Sequence, residues 1–111
     1  MRDVIKQSKD LNEKIKQSEE YKMYIDAKSA LYEHDDLCIR LKELKNRNEG
    51  LQNSPVTDAY DAVVSLVKEY DDLLHNPLVS DFLRAEQKIC RLMQQVYISI
   101  SDGLELEYLD E

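Results

Sequence analysis

The sequence has few of the residues that build tight turns and β-strands. Its 111 residues include two glycines, two prolines, one phenylalanine and no tryptophan. Leu, Lys, Glu and Asp dominate, and the runs of β-branched residues that are typical of strands are missing. The composition therefore predicts an all-α protein. A chain of this length is most simply one domain, residues 1–111, with a modest core that helical proteins often enlarge by pairing with a second copy.

A positively charged surface is also lacking. The net charge is −8, and the basic residues are interleaved with acids. Because nucleic-acid binding depends on phosphate neutralisation by Lys and Arg, no direct nucleic-acid partner is predicted. The sequence has no apolar run of about 18 residues and no apparent leader, so we predict no membrane span. A cytoplasmic location with reduced thiols is expected.

Catalytic and cofactor motifs are missing as well. The sequence has no Gly-rich phosphate loop, no HExxH motif, and no Ser–His–Asp or Cys–His arrangement. Cys38 and Cys90 have no further Cys or His at metal-ligand spacing, so both are predicted to be buried free thiols, with no metal and no cofactor. His34 and His75 fall at predicted helix ends. We nominate no catalytic residue and expect a protein that is not an enzyme.

Helical periodicity is the strongest positive signal in the sequence. Apolar residues recur at spacings of three and four in five segments, at about 3–17, 18–34, 35–52, 57–75 and 76–101, and the third is broken by Gly50 and the NSPVTD stretch. Since neighbouring segments can be continuous, we predict a bundle of three to five helices with a long C-terminal helix, completed by dimerisation. An acidic tail, about 102–111, is either a frayed end or a docked extension.

Residues at the segment boundaries predict where helices begin. Ser18 is a good N-cap for the second segment, and Asp35 or Asp36 could cap the third. Asn76 is likewise a good N-cap, and Pro77 is tolerated at the first helical position because its missing N–H would lack a partner there anyway. Asn76-Pro77 therefore either begins a new helix or kinks one long helix.

The apolar stripes supply candidates for the core and for a dimer interface. Tyr is enriched at interfaces because it is part apolar and part polar, but Tyr60 and Tyr70 are predicted to line the core. Periodicity alone does not separate core from interface. The candidates for one or the other are Leu11, Ile15, Tyr21, Tyr24, Phe82, Ile89, Met93 and Val96.

Two charged residues fall on these apolar stripes. Glu86 interrupts the stripe of the fifth segment, and Lys28 interrupts that of the second. Either Glu86 lies at the edge of the bundle and reaches water, or it is buried with a partner, because an unpaired buried charge is costly. The second alternative predicts a buried Lys28–Glu86 ion pair that fixes the register between two helices.

Two stretches of the chain together resemble a known family. IKQSEEYKMYIDAKSALYEHDD, residues 15–36, and NPLVSDFLRAEQKICRLMQQVYISI, residues 76–100, are similar to the two signatures of the YlbF/YmcA family of competence control, to which YheA is related. In the first, a Ser-Glu-Tyr cap leads to Tyr, Ala-Lys and Leu at helical spacing. In the second, an Asn-Pro start is followed by Ala-Glu and a long apolar stripe. The likeness covers about residues 4–102.

The resemblance implies a small, all-helical, cytoplasmic bacterial protein that forms a dimer and has no enzymatic activity. It also implies an adaptor or regulator of competence, sporulation or biofilm formation, acting with related helical proteins on RNA processing by a membrane-anchored ribonuclease. Some members bind an iron–sulfur cluster through a Cys-rich tail, but this sequence ends LELEYLDE, so no cluster is expected. The alternative is a purely structural, self-associating helical module.

Overall fold

A computed structural model describes residues 2–53 and 59–105 of the chain. This part of the chain contains six α-helices and no strand, which confirms the all-α prediction. The helices are α1 (Arg2–Lys16), α2 (Glu19–Leu31), α3 (Asp35–Gln52), α4 (Ala59–Glu69), α5 (Asp71–Leu74) and α6 (Pro77–Ser101). There is one helix more than predicted, because the fourth predicted segment divides at Tyr70. Of the helices so described, none is long and apolar enough to cross a membrane.

Two helices begin at the N-caps predicted from the sequence. The Ser18 hydroxyl accepts a hydrogen bond from the Tyr21 N–H at 3.2 Å. The Asn76 side chain accepts one from the Leu78 N–H at 2.9 Å. Pro77 occupies the start of α6, where its missing N–H costs nothing. Asn76-Pro77 therefore begins a new helix and does not kink a longer one.

The third helix has the predicted bounds but differs from its prediction at the N-cap and at Gly50. Asp35 and Asp36 lie inside the first turn of α3, and His34 occupies the N-cap position without a side-chain hydrogen bond. The two carboxylates are favourable there because the helix dipole favours negative charge in the first turn. At the other end, α3 continues through Gly50 to Gln52. A glycine inside a helix costs only about 1 kcal/mol, which neighbouring turns can offset.

One apolar cluster connects α2 to α6. The start of α2 lies beside the later turns of α6, and its end lies beside the first turns, so the two helices run antiparallel. Their contact is the most extensive between any two helices in the described residues. Its centre is the Tyr24–Phe82 pair, with ring centroids 5.6 Å apart. The buried members of the cluster are Leu31, Leu41, Leu44, Leu66, Tyr70, Leu73, Val79 and Phe82.

The buried face of α4 is not the predicted one. Tyr60 is 80% exposed, so its prediction as a core residue is wrong, whereas Tyr70 is buried as predicted. Val67 is also exposed, and Leu66 is buried in its place. Leu66, Tyr70 and Leu73 recur at spacings of four and three, so one buried face continues from α4 into α5. This face lies one position away from the predicted stripe at Val67 and Leu74.

The molecule is thin for its length. It measures 50 × 36 × 18 Å, and its radius of gyration is 18.3 Å, against about 13 Å for a compact chain of this size. Its accessible surface is 9025 Å², whereas about 6300 Å² is expected for a compact protein of 13.0 kDa. The smallest dimension is about two helix diameters. Most helices therefore have one side that none of the other described helices covers.

Replacing Asn76 by Ala is expected to lower the free energy of unfolding by about 1 kcal/mol, because the Leu78 N–H loses its side-chain acceptor. Asn76→Asp keeps an acceptor oxygen and is expected to stay near the wild type. Chemical denaturation followed by circular dichroism measures both variants. Equal losses in the two would contradict the role of Asn76 as a cap.

Candidate functional site

Two arginines of α3 hold the segment from α4 to α5. Arg40 donates hydrogen bonds of 2.8 and 3.0 Å to the two carboxylate oxygens of Asp72. Arg47 donates to both oxygens of Glu69 and, at 3.3 Å, to the Tyr70 hydroxyl. The two guanidinium carbons lie 5.5 and 5.6 Å from the centroid of the Tyr70 ring. Since bidentate pairs constrain geometry, these five residues, the arginine clamp, set where α4 ends and α5 begins.

The clamp shifts the pKa of its charged groups. The hydrogen bonds from Arg40 lower the pKa of Asp72 to about 2, and those from Arg47 lower the pKa of Glu69. The same bonds raise the pKa of both arginines. All four side chains are exposed to solvent, which screens the attraction, so the clamp positions helices more than it stabilises the fold.

The clamp was not predicted from the sequence, although part of it had a readable signal. Arg40 and Arg47 are seven residues apart, which places both on one side of a helix. Their partners gave no such signal, because Asp72 and Glu69 are two of 23 acidic residues. Only the fold shows which acids the arginines meet.

Glu86 has a partner, and that partner is Lys45 of α3. The Lys45 ammonium lies 3.1 and 2.9 Å from the two oxygens of Glu86. The predicted partner, Lys28, instead places its ammonium 5.8 and 5.3 Å from the ring centroids of Tyr24 and Tyr32. The pair is not buried either, since the side chains of Lys45 and Glu86 are 46% and 31% exposed. Periodicity selected Lys28 because it interrupts a stripe, but periodicity does not show which helix packs beside α6.

The Lys45–Glu86 bridge borders a groove of about 460 Å³ between α2, α3 and α6. Aromatic and basic side chains share its lining, and the Lys45 ammonium lies 5.5 Å from the centroid of the Phe82 ring. Cations held against aromatic faces gain a modest attraction while they stay accessible to solvent. The bridge therefore connects α3 to α6 at the rim of a cleft, as the first alternative for Glu86 described.

The two thiols have different environments. Cys38 is half-buried, and its thiol donates a weak hydrogen bond to the Leu31 carbonyl at 3.5 Å. Cys90 is exposed, so its prediction as a buried residue is wrong. It lies beside the apolar stripe of α6. Among residues 2–53 and 59–105, no three His, Cys, Asp or Glu side chains lie close enough to hold a metal ion.

Apolar side chains are left exposed on α1 and on the last turns of α6, among other places. α1 buries none of its residues, and Val4 is 69% exposed. In the last turns of α6, Ile98 and Ile100 are 66% and 59% exposed. Contiguous exposed apolar residues of this kind mark interaction surfaces more often than isolated ones do.

The eight core or interface candidates divide in the structure. Phe82 is buried, and Tyr24 packs against it from α2 while remaining half-buried. The other six are also half-buried and lie along α1, at the start of α2 and in the second half of α6. Their assignment to an interface stays a prediction.

These features define a class: small all-α proteins with ion-paired helix contacts, open grooves and uncovered apolar helix faces. Residues 4–105 match the family model described as "Control of competence regulator ComK, YlbF/YmcA". The match covers nearly the whole chain, so the chain belongs to this family, and the resemblance noted from its two signatures is confirmed. The family is linked to control of the competence regulator ComK, which supports a regulatory role. No curated protein and no solved structure gives a significant match to the chain.

Replacing Arg40 by Gln is expected to return the pKa of Asp72 toward the ordinary aspartate value of about 3.9. In the wild type this pKa is about 2, below the value in the unfolded chain. The pair therefore stabilises the fold above pH about 4, and this contribution is lost as the pH falls through about 2. An NMR titration of the Asp72 carboxyl carbon measures the shift, and an ordinary pKa in the wild type would contradict the pairing.

A double-mutant cycle distinguishes the observed bridge from the predicted one. Glu86→Gln and Lys45→Met are expected to be non-additive, with a coupling of about 0.2–1 kcal/mol that is typical of exposed ion pairs. Glu86→Gln and Lys28→Met are expected to be additive, because Lys28 contacts tyrosine rings and not the carboxylate. Thermal melts of the single and double variants provide the data. A coupling confined to Lys28 would reverse the assignment.

Proposed function

We propose that the protein is a non-catalytic helical adaptor that self-associates and binds protein partners. Its family link to competence control supports regulation as the outcome of these contacts. The observation that carries the proposal is α1, a helix of 15 residues that buries none of them. A helix of that length gains most of its stability from packing an apolar face, so α1 needs a surface from another molecule.

The apolar residues of α1 lie on one side of the helix. Val4, Leu11 and Ile15 follow one another at helical spacing, and Leu11 and Ile15 are half-buried near the junction with α2. Toward its beginning the helix leaves Val4 and Ile5 69% and 51% exposed. The stripe is thus covered only at one end. A binding partner that covers the remainder would remove this apolar surface from water.

The amount of exposed surface supports the same conclusion. The accessible surface of 9025 Å² exceeds the value for a compact protein of this mass by about 2700 Å². Each partner in a standard protein interface contributes about 800 Å². The excess therefore suffices for self-association and for a second protein contact at once.

The chemistry of the surface favours a partner of complementary charge. A net charge of −8 favours protein partners with basic patches and disfavours direct contact with nucleic acid. Related helical proteins and components of an RNA-processing complex are the partners that the family likeness supports. In this role the chain regulates competence, sporulation or biofilm formation from the cytoplasm. It does so by binding other proteins and does not catalyse a reaction.

Purification from native cells, followed by size-exclusion chromatography with light scattering, tests the proposal. We expect a mass of twice the 13.0 kDa of one chain, or more, and a stoichiometric protein partner. Val4→Asp is expected to release the partner or the second copy, because it places a charge on the uncovered part of the α1 stripe. Asn12→Asp adds the same charge on an exposed side of α1 and serves as the control.

The outcomes distinguish three hypotheses about what the protein binds. A monomer with nothing bound contradicts the proposal. A dimer with nothing bound leaves the alternative of a purely structural, self-associating module. Equal effects of Val4→Asp and Asn12→Asp would show that the α1 stripe is not the contact.

A further inference from the structure

We infer that a groove between α2 and α6 is the surface on which a second copy of this chain packs, antiparallel, about a two-fold axis close to Ala85. The inference rests on the self-association proposed above and assigns it to one surface. The groove lies apart from the one that the Lys45–Glu86 bridge borders, since the two have no lining residue in common. We call it the α2–α6 groove.

The shape of the α2–α6 groove suits another helix. Its volume is about 470 Å³, and its base contains three alanines, Ala27, Ala30 and Ala85. Small side chains let the backbone of a neighbouring helix approach closely. Met23 and Leu78 extend this apolar base toward the two ends, and Met23 is 46% exposed. A helix laid along the groove would cover both.

The charges around the groove permit a second copy to approach. Its walls carry two acids, Asp26 and Asp81, and two bases, Arg84 and Lys88. The groove is therefore neutral, although the chain as a whole has a net charge of −8. Two copies repel each other over most of their surfaces, because like charges face like charges. The repulsion is absent where two of these grooves meet.

The order of the charges along α6 is self-complementary. Asp81 and Lys88 lie seven residues apart on one side of the helix, with Ala85 between them. In a two-fold contact, residue i of one copy meets residue j of the other, and j meets i. An axis close to Ala85 therefore pairs Asp81 of each copy with Lys88 of the other. Both ion pairs form at once, and no like charges meet at these positions.

The Asp81 carboxylate is available for such a contact. Its present neighbour is Arg84 of the same helix at 3.5 Å, and the two side chains are 62% and 64% exposed. An exposed pair between residues three apart on a helix is weak. Lys88 of a second copy can therefore join Arg84 at this carboxylate without breaking a stable interaction.

Charge reversal at these two positions tests the inference. Asp81→Lys and Lys88→Asp each place like charges opposite one another in the dimer, so each is expected to raise the dimer dissociation constant roughly tenfold or more. The double variant Asp81→Lys/Lys88→Asp restores opposite charges and is expected to return close to the wild type. An equimolar mixture of the two single variants is expected to form a heterodimer. Light scattering over a dilution series measures all of them.

Glu49→Lys provides the matched control. It makes the same change of charge as Asp81→Lys at an exposed position of α3, away from the α2–α6 groove, and is expected to leave the dimer intact. Circular dichroism melts establish that every variant folds. Recovery of the dimer in the double variant cannot come from misfolding, so this result keeps the test decisive.

Failure of the inference is distinguishable from failure of the proposed function. A wild-type dimer that withstands both single reversals overturns the assignment to the α2–α6 groove and leaves self-association in place. Loss of a copurified protein by these variants, with the dimer intact, also overturns it, because the groove then binds a different partner. A wild type that is monomeric at all concentrations overturns self-association and the inference together.

Discussion

The packing of α2 against α6 is the contact on which the rest of the structure depends. Val79 and Leu31 are almost completely buried where the two helices meet, and Phe82 lies against Tyr24 in the same layer. The Lys45–Glu86 groove opens on one side of this pair of helices, and the α2–α6 groove opens between their outer faces. Both grooves depend on the distance between the antiparallel helices α2 and α6. A loss of core volume between these two helices would therefore remove both grooves.

Three basic residues of α3 form ion pairs at the junctions between helices. Arg40 and Arg47 connect α3 to the segment that includes Tyr70, and Lys45 connects α3 to α6. Each pair is exposed enough for solvent to screen it, so none adds much to stability. Their geometry is nevertheless specific, because a bidentate guanidinium accepts only a narrow range of carboxylate positions. The bridges therefore define how α3 sits on a small core that apolar packing alone would orient less tightly.

The small core and the large accessible surface both follow from the thin shape of the molecule. An 18 Å layer of helices buries few side chains and leaves α1 and the end of α6 with apolar faces toward solvent. Such a chain is suited to acting through contacts with other proteins, in agreement with its membership of a family linked to competence control. Self-association through a neutral groove and partner binding through apolar helix faces would use separate surfaces, so one need not block the other.

Local chemistry in the sequence by itself determined the helices, because capping and periodicity act within a few residues. Ser18 and Asn76 begin α2 and α6 as their side chains predict, and Phe82 is buried as its stripe indicates. Tertiary structure decided the rest. Tyr60 is exposed because α4 meets the core through Leu66, and Glu86 pairs with Lys45 because α3 packs beside α6. Which of many charged residues meet depends on how helices distant in sequence pack together, and periodicity within one helix carries no information about that.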